Sequence, residues 1–127
     1  MRERHCKLAV NMAYKSTSRF RLGAVLAKKN RVLSTGFNDM RRTHPKMEKF
    51  NTNKTFTLGL HAEIHSCLGV PMADLEGSDL YVARILKDNT LAMAKPCAVC
   101  AKFILDVGIN QVYFSFNNKN WESWCTY

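Results

Sequence analysis

From residue 60 onwards the chain alternates helix, strand, helix and strand, and this alternation narrows its possible folds more than any other feature. Leu60 to Leu68 reads as a helix stopped by Gly69 and Pro71, and Leu80 to Leu86 as a strand followed by the turn residues Lys87-Asp88-Asn89-Thr90. Pro96 stands where a third helix can begin; that helix runs to Val107, where Gly108 ends it, and Val112 to Phe116 is a fourth strand. Strands joined through a helix demand a parallel pair with a right-handed crossover, which puts the chain in the α/β class.

The first half supplies the rest of the layers. Leu8, Ala9, Met12 and Ala13 recur at helical spacing, so residues 3 to 17 read as an amphipathic first helix. Leu22 to Ala27 and Val32 to Phe37 are apolar runs separated by Lys28-Lys29-Asn30-Arg31, a hairpin pattern. Residues 39 to 60 are polar and irregular, longer than an ordinary connection. With 127 residues, 46% of them hydrophobic, the chain reads as one domain spanning residues 1–127.

Charge and cysteine usage exclude several classes. No apolar run approaches the roughly 18 residues of a membrane span, so no membrane association is expected. The opening Met1 to Lys7 is too charged to lead into a secretory signal. Five cysteines cannot all pair within one chain, which fits a reducing, cytoplasmic setting. Residues 1–54 hold 14 basic and 3 acidic side chains, while residues 55–127 hold 5 and 7, so the whole net charge of +9 lies in the first half. A basic half of this kind suits a phosphate-bearing partner, or simply a solvated surface.

The chemistry gathers at two places. His61-Ala62-Glu63 opens the second helix, and Pro96-Cys97-Ala98-Val99-Cys100 opens the third. One imidazole and two thiolates make a three-ligand zinc set, which leaves a tetrahedral position open where a structural site would close it. Cysteines in the first turn of a helix ionise more readily, because the helix N-terminus carries partial positive charge. Glu63, two residues after His61, can reach the reacting water without binding metal. Two blander readings compete: a redox pair, which lacks a thioredoxin-like surround, and half of a zinc ribbon, for which Cys6, Cys67 and Cys125 supply no second pair. His65 does not complete an H-E-x-x-H motif, since Ala62 follows His61, and is read as a packing or supporting residue.

His61-Ala62-Glu63 together with Pro96-Cys97-x-x-Cys100 resembles the signature of zinc nucleobase deaminases. From about Met12 to Phe116 the chain is similar to the cytidine and deoxycytidylate deaminase superfamily, on the side of deoxycytidylate and tRNA adenosine deaminases. Arg19 to Leu26 resembles that branch's first strand, Ser34 to Asn38 its second, and Cys97 to Phe114 its cysteine helix and following strand. The resemblance implies a three-layer α/β/α fold around a mixed sheet of four to five strands. It implies zinc on His61, Cys97 and Cys100, proton shuttling by Glu63, and substrate contacts from Asn38 and the Ala62 backbone N–H. It also implies self-association, and hydrolytic attack at C4 of cytosine or C6 of adenine.

There are departures. Leu86 to Lys95 intervene before the cysteines as an expected hairpin extension, the chain stops soon after its fourth strand, so that C-terminal elements look reduced, and residues 39–60 lack the usual Gly and Pro pattern. Three functions stay open. The first is deamination of a free cytosine nucleotide or nucleoside, with Arg19, Arg21, Arg41, Arg42 or Lys46 meeting a phosphate. The second is deamination in single-stranded DNA or RNA, with Trp121, Trp124 and Tyr127 as stacking platforms. The third is a zinc-stabilised nucleic-acid-binding module without catalysis.

Overall fold

Leu26 and Ala27, neighbours in the chain, are both fully buried yet belong to different cores, so the strand that carries them is covered on both faces. The computed structural model describes residues 1–16, 20–38 and 61–125, the side chain of Cys125 excepted. Its elements in chain order are α1 (Glu3–Ala13), β1 (Arg21–Lys28), β2 (Arg31–Phe37), α2 (Ala62–Cys67), α3 (Met72–Leu75), β3 (Asp79–Ile85), β4 (Leu91–Ala92), α4 (Ala98–Val107), β5 (Gln111–Ser115) and β6 (Trp121–Cys125).

The strands form one mixed sheet in the order β2-β1-β3-β5-β6, with β4 paired to the end of β3 that β5 does not cover. Among the described strands only β3 and β5 run parallel, and α4 is the crossover between them. The three expected layers are present. On one face, Ala24, Leu26, Leu80, Val82, Val112 and Phe114 pack with Ala62, Ile64, Val99, Phe103 and Ile104 of α2 and α4. On the other, Val25, Ala27, Tyr81 and Ala83 pack with Cys6 and Ala9 of α1.

Two glycines set how closely helices approach. A Cβ on Gly23 would sit 2.2 Å from the carbonyl oxygen of Ala9, and one on Gly36 would sit 2.5 Å from the backbone nitrogen of Ser66. The first lets α1 lie on β1; the second lets α2 lie on β2. At the end of α4, Gly108 adopts φ 81°, and the N–H groups of Gly108 and Ile109 return to Leu105 and Ile104 in a Schellman close.

The structure corrects several expectations. The sheet has six strands among the described residues against the four to five expected, because Leu91–Ala92 adds β4 and Trp121–Cys125 forms β6 against β5 where the C-terminal elements looked reduced. The first helix stops at Ala13, α2 is shorter than 60–68, and α4 starts at Ala98, after Pro96. A further short helix, α3, fills the connection before β3. The extension at 86–95 is the expected hairpin. Its turn is tied by Asp88, whose Oδ1 accepts from the backbone and hydroxyl of Thr90 at 3.1 and 2.6 Å. Arg19, Arg41, Arg42, Lys46, Tyr127 and the 39–60 connection lie outside the described residues. No helix among the described residues is long and apolar enough to cross a membrane.

Candidate metal centre

The parting of β3 and β5 creates the site. Their ladder ends at Val82 and Phe114, and beyond it Ser115 bridges the gap: its hydroxyl accepts from the N–H of Arg84 at 3.2 Å and donates to the Ala92 carbonyl at 2.7 Å. The Ala94 N–H donates to the Ser115 carbonyl at 2.8 Å. The hairpin is thereby fastened to β5, and the chain leaves it through Pro96 directly into Cys97, the N-cap of α4. Opposite, His61 is the N-cap of α2. Two helix N-termini thus meet, each adding partial positive charge where thiolates are wanted.

His61, Cys97 and Cys100 bring one ligand atom each to within 4.8 Å of one another. The Nδ1 of His61 lies 3.6 Å from the sulfur of Cys97 and 3.3 Å from that of Cys100. Tetrahedral zinc, with Zn–N near 2.0 Å and Zn–S near 2.3 Å, separates such atoms by about 3.5 Å. The donor set and its spacing therefore fit zinc, with three protein ligands. Without metal the two thiols share a proton: Cys97 is pulled down to about 4, chiefly by its hydrogen bond with Cys100, while the same bond and full burial push Cys100 up.

Glu63 sits on the first turn of α2, is 3% exposed, and is not one of the three ligands. Burial raises its carboxyl above the ordinary range, His61 opposes the rise, Cys97 adds to it, and a hydrogen bond with Cys100 again opposes it. Its place against Cys100 puts a proton acceptor at the edge of the metal set. Ala62 is buried between His61 and Glu63.

Asn38, at the end of β2, is buried, and its side chain organises the chain around the mouth. Oδ1 accepts from the Leu22 N–H at 2.9 Å and the Ser16 hydroxyl at 2.6 Å, and Nδ2 donates to the Phe20 carbonyl. His65 is a packing residue: its ring meets that of Phe37 edge-on at 5.0 Å, and its Nδ1 lies 2.8 Å from the Phe37 carbonyl.

The remaining candidates scatter. Arg21 donates to the Leu86 carbonyl and to Asn89 Oδ1, so it braces the hairpin turn. Trp124 packs against the core shared with α2 and α4, and Trp121 against the core under α1, so the two rings lie on opposite faces of the sheet and offer no continuous stacking platform. Two residues near the site were not singled out by sequence. Ser115 joins β3, β4 and β5, and Arg84 stands on β3 beside Leu22. Strand parity was the available signal for Arg84, since it falls in step with Leu80 and Val82.

Comparison with known proteins agrees with this geometry. A family model described as the cytidine and deoxycytidylate deaminase zinc-binding region matches residues 1–116. The chain is 34% identical over 95 residues to an uncharacterised deaminase in the luxG 3′ region of Aliivibrio fischeri, covering 72% of this chain and 56% of that protein. It therefore spans little more than half the length of that relative. It is 29% identical over 110 residues to a deoxycytidylate deaminase of Mycobacterium phage D29, covering 76% of this chain and 78% of the relative. Among solved structures, the apo dCMP deaminase of cyanophage S-TIM5 superposes with a TM-score of 0.59 at 25% identity, over 90% of this chain and 81% of that one. A cytidine deaminase of Burkholderia pseudomallei, 16% identical, shares the fold with a TM-score of 0.68 over 99% of this chain and 94% of that one.

Proposed function

Since this chain belongs to the cytidine and deoxycytidylate deaminase zinc-binding family, we propose that it catalyses hydrolytic deamination of cytosine to uracil in a free nucleotide or nucleoside. The observation that carries this reading is the convergence of His61, Cys97 and Cys100 beside a buried carboxylate that is not itself a ligand.

Zinc, when bound there, supplies the Lewis acidity that makes water nucleophilic near neutral pH. His61 and the two thiolates hold it. Glu63 takes one proton from the attacking water and passes it to the ring nitrogen next to C4; it then takes the proton of the hydroxyl now on C4 and gives it to the amine, so that the C4 carbonyl forms as the C4–N bond breaks and ammonia leaves. A carboxyl raised by burial suits both halves of this shuttle, because its affinity for the proton comes closer to that of the groups it serves. The Ala62 N–H meets the base, and the amide hydrogen of Asn38 not engaged by Phe20 meets the sugar.

A panel of metal-loaded protein with deoxycytidine, dCMP, single-stranded DNA and single-stranded RNA, read as a mass change at the base, tests the reading. Free nucleotide or nucleoside converts under this proposal; conversion of polynucleotide alone, or of adenine alone, overturns it. Glu63→Gln keeps stoichiometric zinc and loses at least about a hundredfold in ammonia release. Release at the parent rate would remove Glu63 from its role.

A further inference from the structure

Arg84 is a half-buried cation near the end of a central strand. It is the penultimate residue of β3, in step with Leu80 and Val82, whose side chains belong to the core shared with Ala62, Val99 and Cys100. Its neighbours across the sheet are Leu22 on β1 and Ala92 on β4. The Leu22 N–H is the group held by Asn38, and the backbone of Ala92 is the group held by Ser115. The guanidinium therefore rises on the metal face, between Asn38 and the hairpin that delivers Cys97.

Among the described residues none balances its charge with an ion pair. The Nε of Arg84 is buried and has no hydrogen-bond partner. The Cζ lies 5.1 Å from the centre of the Phe20 ring, itself 52% exposed, so the ring's face orients the guanidinium without neutralising it. Among the described residues the one ion pair joins exposed Lys7 and Glu3. A half-buried guanidinium with an unmet donor is costly unless an anion completes it.

We propose that Arg84 is the phosphate-recognising residue of the substrate site: its planar fork, with the orphaned Nε–H as one prong, grips the phosphate ester of the nucleotide whose cytosine reaches the metal centre. This rests on the functional reading above and names the substrate class within it. A guanidinium presents parallel N–H donors that match two phosphate oxygens, which an ammonium cannot reproduce. The phosphate can belong to a free nucleotide or to a strand; the chemistry at Arg84 is the same.

The test measures kcat/KM for dCMP and deoxycytidine in metal-loaded parent, Arg84→Gln and Arg84→Lys. The preference for dCMP falls about ten- to a hundredfold in Arg84→Gln, and Arg84→Lys recovers only part of it. A preference unchanged in Arg84→Gln, or fully restored by lysine, overturns the fork. A binding arm makes failure of this inference distinct from failure of the reaction. Zinc-loaded Glu63→Gln is titrated with dCMP, deoxycytidine and a short single-stranded DNA without a terminal phosphate, with and without Arg84→Gln. Weaker binding of dCMP alone identifies a free nucleotide; weaker binding of the oligonucleotide alone identifies a strand. Equal weakening of all three, deoxycytidine included, overturns phosphate recognition. Unfolding separates a structural role: Arg84→Gln retains the parent midpoint in the absence of ligand, and a clear loss of stability instead counts against the proposal.

Discussion

The two faces of the sheet carry similar residue types and do different things with them. Under α2 and α4 stand His61, Glu63, Cys97 and Cys100; under α1 stand His5, Cys6, Asp79 and Tyr81. Each face has an imidazole, a carboxyl and a thiol. On the first, ligand atoms from two helix N-termini converge within 4.8 Å. On the second, each polar group finds a local partner or none: His5 Nε2 lies 2.9 Å from the Lys29 carbonyl, the Tyr81 hydroxyl accepts from the Arg2 N–H at 3.1 Å, and His5 Nδ1 and Asp79 Oδ1 are buried without one. Convergence, not composition, separates a metal centre from a buried polar patch.

The largest effects that sharpen this contrast come from the two glycines, one per face. Gly36→Ala and Gly23→Ala each force a Cβ into backbone and are expected to cost about 3 kcal/mol or more in unfolding free energy. Their effects on the metal differ. Displacing α2 moves His61, so Gly36→Ala loses bound zinc even where folded protein remains, whereas Gly23→Ala disturbs α1 and leaves zinc per folded chain intact. Denaturant unfolding with metal analysis reads both, and equal zinc retention in the two would break the comparison.

Thiol reactivity gives an intermediate contrast. In metal-stripped protein at mildly acidic pH, Cys97, held down to about 4, is alkylated first, while Cys6, pushed up to about 11 by burial, stays protected. Peptide mapping after brief iodoacetamide treatment checks the order. Modification of Cys6 at a rate matching Cys97 would show that the faces do not differ as described.

The smallest effect concerns Asp79. Burial raises its carboxyl above 3.8, against hydrogen bonds from Asn110 and the Gln111 backbone. The folded state therefore binds this proton more tightly than the unfolded chain does. Its contribution is complete below the ordinary value and declines as pH rises through that value to the folded one. Asp79→Asn removes the dependence, so the variant's stability relative to the parent improves on going from pH 3 to pH 7. A difference that stays constant between these two pH values sinks the assignment.

How much of this was legible varies by element. The candidate set His61, Glu63, Cys97 and Cys100 stood out through its resemblance to the deaminase signature, and each pair lies within one helical turn, so the signature is a local pattern; the structure brings His61, Cys97 and Cys100 together. The two central strands, the hairpin at Lys29 and the stop at Gly108 were legible for the same local reason. Strand β6 was not, because Trp121 to Cys125 alternates faces only once β5 is beside it to define them. Arg84 was hidden by an apolar run in the acidic half, and Arg21, an attractive basic candidate, turned out to be bound to the hairpin across the sheet.

What the chain determined alone is its first helix, the strands β1, β2, β3 and β5, the two helices that open at His61 and Cys97, and its ligand types, since helix periods, caps and turns are contacts between residues a few positions apart. What only the tertiary structure decided is which of the charged and polar groups meet. The distance from His61 to Cys97 spans a strand, a hairpin and two helices, and Arg84 acquires its place from Leu22, Phe20 and Ala92. Those encounters depend on register and packing across the sheet, which no short stretch of sequence encodes.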